Sequence, residues 1–168
     1  MLFNSAEFIF AFFPVTVLVF FGLARFSHLL AAGWLTLASL FFYGWWNPAY
    51  VTLLLASIAF NYAGGFHLAR LVGRNRQDLA RPLLVVAVTA NLALLGYYKY
   101  ANFFFDVAGA VTGSQLRFGQ VVLPLGISFF TFTQIAFLVD AYRGYAREYN
   151  PVHYGLFVSY FPHLIAGP

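Results

Sequence analysis

The 168-residue chain is 62% hydrophobic, 21% aromatic and only 8% charged, with a mean hydropathy of +0.78. A soluble domain carries about 25% charged residues, so this composition excludes an ordinary soluble fold and implies an all-α, polytopic transmembrane helix bundle. The net charge of +4 does not signal nucleic acid, because the basic residues sit between apolar runs where membrane topology places them and no nucleic-acid-binding motif is present. The absence of cysteine excludes disulfides, thiolate metal sites and thiol nucleophiles within these residues.

Phe8 to Ala24 is the first expected span, with Pro14 inside it as a kink. Only Glu7 and no basic residue precedes it, whereas a cleaved secretory signal needs a positive leading segment, so this helix is expected to be a retained anchor. Arg25 and His28 mark a short turn. Leu29 to Trp46 is the second span and ends in the aromatic run Gly44 to Tyr50. Trp and Tyr collect at headgroup depth because each ring has one polar handle. Asn47-Pro48 breaks the helix and turns the chain.

Tyr50 to Leu68 is the third span. Ser57, Asn61 and Gly65 lie four apart and share one face, forming a small and polar seam for close helix packing. The other reading of Asn61 is a residue lining a substrate path. Arg70 to Arg81 is the one strongly basic stretch, with four arginines against one aspartate. Leu83 to Tyr98 is the fourth span, entered through Pro82, and a loop or interfacial helix with Gly109, Gly113 and Gly119 follows.

Leu123 to Gly144 is the fifth span, with Pro124 expected in its first helical turn, where a missing N–H costs nothing. Ser128, Thr131 and Gln134 recur every three residues along it. Such a stripe belongs against other protein or a wet cavity, either as interhelical hydrogen bonds or as part of a substrate path. Asp140 is expected to pair with Arg143 three residues on. Asn150-Pro151 then starts another segment, Val152 to Pro168, interrupted by Pro162, which reads as the start of a sixth membrane-embedded element. If the arginine loop is cytoplasmic, alternation places seven of nine basic residues inside, leaving Lys99 and Arg117 outside. The positive-inside rule favours this orientation, with the N-terminus outside.

Six stretches in order resemble the membrane-bound O-acyltransferase family: MLFNSAEFIFAFFP at the start, FFYGWW (Phe41 to Trp46), YYKYANFF (Tyr97 to Phe104), LPLGISFFTF (Leu123 to Phe132), LVDAYRG (Leu138 to Gly144) and FPHLIAGP (Phe161 to Pro168). The wording is nearest to the branch that acetylates bacterial exopolysaccharide such as alginate. The resemblance implies that residues 1–168 form the N-terminal part of one larger domain in the bacterial inner membrane. It further implies an O-acetyltransferase with acetyl-CoA as acyl donor and no bound cofactor or metal. The expected partners are the lipid bilayer, a periplasmic acetyltransferase and a polysaccharide acceptor. The family's catalytic histidine is expected beyond Pro168, so no catalytic residue is assigned here. His163 matches the family's FPHLIAGP motif without being that histidine, and with Ser128, Thr131 and Gln134 it is a candidate for the substrate path. The arginines 70, 74, 76 and 81 are candidates to attract the phosphates of the donor. Two other readings stay open on the residues alone: a transporter or flippase subunit of polysaccharide export, which would share broken helices and polar stripes, and a non-catalytic assembly subunit.

Overall fold

The computed structural model describes residues 5–112, 122–146 and 150–162. Its elements, in order, are a π-helical turn (Phe8–Phe12), α1 (Phe13–Ala24), α2 (His28–Trp46), α3 (Pro48–Gly73), α4 (Gln77–Thr112), α5 (Ile127–Arg143) and α6 (Pro151–Ser159). No strand occurs among the described residues. Two helical stretches are long and apolar enough to cross a membrane, Pro48–Gly73 and Gln77–Phe104, and Phe8–Ala24 is a shorter apolar helix.

The helix starts follow from local chemistry. Asn47 and Asn150 are both extended and both precede a proline at the first helical position. The Asn47 side chain accepts from the Ala49 N–H at 3.0 Å, and that of Asn150 from the Val152 N–H at 2.9 Å. Each cap satisfies one of the orphan donors of the first turn, worth about 1 kcal/mol. The irregularity expected at Pro14 takes the form of the π turn, in which the Phe13 N–H reaches back to the Phe8 carbonyl. The wider turn gives room to a ring that would otherwise press on the carbonyl four residues earlier.

Two expectations are corrected. Pro124 is not in the first turn of α5: residues 122–124 are irregular, and the helix opens at Ile127 behind Gly126, whose φ is +68°. Pro124 is instead fully buried, and its segment is held by Tyr43, which donates to the Leu125 carbonyl at 3.0 Å, and by Tyr50, which donates to the Val122 carbonyl at 2.7 Å. Tyr43, just before the aromatic run at Gly44 to Tyr50, is therefore a core residue only 2% exposed. The fourth helix also does not begin at Leu83 or end at Tyr98. It runs for 36 residues with Pro82 inside its N-terminal part, and Gly109 lies within it. The stretch containing Gly113, Arg117 and Gly119 lies outside the described residues.

The helices pack as two groups. The α3, α4 and α5 helices touch one another pairwise, while α2 packs on α1 and α6. Contacts of α2 with α3, and of α6 with α3 and α5, join the groups. In the first group, Leu54, Ser57, Asn61, Gly65 and Leu68 form one buried face of α3, with the spacing of three and four that a helix stripe requires. Gly65 is where α5 comes closest. A Cβ there would sit 2.2 Å from Phe137 Cε1, so only hydrogen fits. In the second group, Phe8, Phe42 and Phe161 are buried together with Phe12 against them, and Trp34 Nε1 donates to the Thr16 carbonyl at 3.1 Å.

Candidate functional site

Four polar side chains meet in the α3–α4–α5 interior. Asn61 is the hub. Its Nδ2 donates to Asn91 Oδ1 at 3.1 Å, to Gln134 Oε1 and to the Ser57 carbonyl at 2.9 Å, while its Oδ1 accepts from Asn91 Nδ2 at 2.6 Å. Ser57 Oγ donates to the same Gln134 Oε1 at 2.7 Å, and Asn91 Nδ2 is also bonded to the Ala87 carbonyl at 2.9 Å. Ser57, Asn61, Asn91 and Gln134 are all buried. One amide thus comes from each of three helices, and Asn61 joins the other two, bonding reciprocally with Asn91 and donating to Gln134. Groups buried in this way cost several kcal/mol each if unpaired in an apolar interior, so the network sets how these helices register.

The stripe expected on α5 divides. Gln134 and Thr131 face this interior and are buried, whereas Ser128 is exposed and makes no part of the network. Buried positions on α5 advance by threes and fours, through Ile127, Thr131, Gln134, Leu138 and Ala141. A strict step of three drifts off that stripe, because a helix turns in 3.6 residues. His163 lies outside the described residues. Asn91 was missed from the sequence, although an uncharged amide in the middle of an apolar run is itself a signal.

A cavity of about 270 Å³ lies between α5 and α6, lined by Phe137, Asp140, His153, Tyr154 and Phe157 among others. Its lining combines aromatic rings with a carboxylate and an imidazole. The pairing expected of Asp140 with Arg143 is not formed. Among the described residues the salt bridge is Arg76 to Asp78 at 3.2 Å, and the Asp140 carbonyl closes the helix by accepting from the Tyr145 and Ala146 N–H groups. Gly144, with φ +76°, ends α5 immediately after Arg143, and the Asp140 and Arg143 side chains are both exposed.

The arginine loop is a tight hairpin between α3 and α4. Arg70 lies over the Phe66 ring at 4.4 Å, Arg76 is committed to Asp78, and all four arginines are exposed. His28, the first residue of α2, and His67, six residues before the end of α3, are exposed. Among the described residues, no three His, Asp or Glu side chains gather as metal ligands would.

The fold is a helical bundle with buried amides between its helices, two of which are long and apolar enough to cross a membrane, and comparison with known proteins narrows the class. No family model and no solved structure matches the chain. Curated relatives do. A peptidoglycan O-acetyltransferase of Helicobacter pylori is 38% identical, aligned over all of this chain and 36% of its own length. Probable alginate O-acetylases (AlgI) of Pseudomonas aeruginosa and Azotobacter vinelandii are 37% and 38% identical over all of this chain and 32% and 34% of their own. The chain spans about a third of the length of the relatives it matches. Over its whole length the chain is similar to proteins named for O-acetylation of peptidoglycan or alginate.

Proposed function

We propose that this chain is the N-terminal, scaffold-forming part of a membrane O-acetyltransferase that passes acetyl groups across the bacterial inner membrane to a cell-envelope polysaccharide. The observation that carries the reading is whole-chain similarity, at 37–38% identity, to relatives named for O-acetylation of peptidoglycan or alginate. On this reading α1 to α5 are five membrane spans with the N-terminus outside, and α6 begins a sixth. The long apolar helices and the positive-inside count support it. The donor is acetyl-CoA on the cytoplasmic side, a periplasmic acetyltransferase completes the transfer, and the α5–α6 cavity with Asp140 and His153 contributes one wall of the acyl path.

Acyl transfer needs a general base active near neutral pH and donors for an oxyanion. The described residues contribute positioning to that chemistry: the amide network holds α5 in register, and α5 carries Phe137 and Asp140 to the cavity. The test is deletion of the gene in its native host, followed by measurement of ester-linked acetate on exopolysaccharide and on peptidoglycan separately. Loss from one polymer, restored by the gene in trans, identifies the acceptor. Unchanged acetate on both sinks the proposal.

A further inference from the structure

Two polar atoms beside the amide network have no partner: Gln134 Nε2 and Thr131 Oγ1. Both side chains are closed off from solvent, Gln134 at 0% exposure and Thr131 at 1%. They stand three residues apart on one face of α5, a spacing that brings Cβ atoms to about 5–6 Å. Helical side chains lean toward the N-terminus, so the Gln134 amide extends over the turn that carries Thr131. The other end of that amide is committed, its Oε1 accepting from both Ser57 and Asn61. Nε2 therefore needs an acceptor of its own.

The nature of that acceptor is constrained. It must accept from an amide N–H and bond a hydroxyl as well. It must be small, because α3 approaches α5 here closely enough to require glycine at position 65. It is also not a protein segment docking from outside, since neither atom is reachable from the surface. Buried polar groups left over by the protein's own bonds are commonly satisfied by ordered water, which makes about three hydrogen bonds in such sites. Among the described residues the remaining unpartnered buried hydroxyls, Tyr154 and Ser159 on α6, stand five residues apart and do not share a turn.

We propose that the Thr131–Gln134 turn of α5 binds one internal water molecule, which accepts from Gln134 Nε2 and bridges to Thr131 Oγ1. This water is a structural ligand of the α3–α4–α5 group and completes the network centred on Asn61.

The test is radiolytic hydroxyl labelling of the protein expressed from its complete gene in detergent, read by mass spectrometry. Radicals formed from a bound water label its neighbours even where bulk water does not reach. The fully buried Phe130, next to Thr131, should be labelled in the wild type. Its label should keep the light isotope after a brief shift to heavy-oxygen water, while exposed Phe132 takes the heavy one. Thr131→Val, which keeps the shape and removes the hydroxyl, or Gln134→Met should reduce the Phe130 label several-fold. An unlabelled Phe130 in the wild type, a label drawn from bulk water, or a label unchanged in both variants would overturn the proposal. Because the isotope measurement uses the wild type alone, it decides the matter even if both variants misfold.

Discussion

The two helix groups solve the same packing problem with opposite chemistry. The α3–α4–α5 group is joined by directional bonds among Ser57, Asn61, Asn91 and Gln134. The α1–α2–α6 group is joined by aromatic surfaces: the Phe8 and Phe42 rings meet edge-on at 5.6 Å, and Phe12 and Phe161 at 5.5 Å. Its cross-helix polar bonds run from a side chain to backbone, as when Ser39 Oγ accepts from the Phe161 N–H at 3.2 Å. Between apolar helices in lipid there is little hydrophobic drive, so close packing and interhelical hydrogen bonds must do the joining. Amides fix one register. Aromatic rings tolerate several.

That contrast predicts a graded response to shape-preserving changes. Asn61→Leu keeps the branched outline of the hub but leaves Asn91 Oδ1 without its donor and Gln134 Oε1 with Ser57 alone, and a buried group left without a partner costs about 1–3 kcal/mol. The expected loss is about 2–4 kcal/mol, seen as a lower unfolding midpoint of the detergent-solubilised protein. A change below about 1 kcal/mol would mean that the network does not hold the group together. Gly65→Ala comes next. Its methyl meets the Phe137 ring, and overpacking of this kind costs about 1–3 kcal/mol. Pairing it with Phe137→Leu in a double-mutant cycle should recover part of the loss, and strict additivity would refute the contact as its cause. Phe42→Leu in the aromatic group should be mildest, at about 1 kcal/mol, because hydrophobic swaps of similar volume are absorbed by neighbours. If Phe42→Leu proves more harmful than Asn61→Leu, the assignment of register to the amide group is wrong.

Much of the site was legible for reasons that are local. The four-residue spacing of Ser57, Asn61 and Gly65 defines a helix face whatever lies opposite, and that face is the one α5 packs against. Asn-Pro at 47–48 and 150–151 specifies helix starts through capping geometry alone. Ser128 falls outside the buried seam because a step of three only approximates a turn of 3.6 residues, so it is rotated away from Thr131 and Gln134. The Asp140–Arg143 pairing is not formed because a spacing of three only allows two side chains to meet, and between exposed groups such a pair is worth little.

Composition, periodicity and the proline and glycine punctuation determined by themselves that this is an all-helical chain of long apolar segments, and where several of those segments begin. Only the tertiary structure decided that Asn91 joins Asn61 across 30 residues, that Gln134 reaches Ser57 across 77, and that Tyr43 holds Leu125 across 82. The division has a physical cause. Helix formation is governed by neighbours within about four residues, whereas the partner of a buried amide is chosen by whichever other helix packs against it.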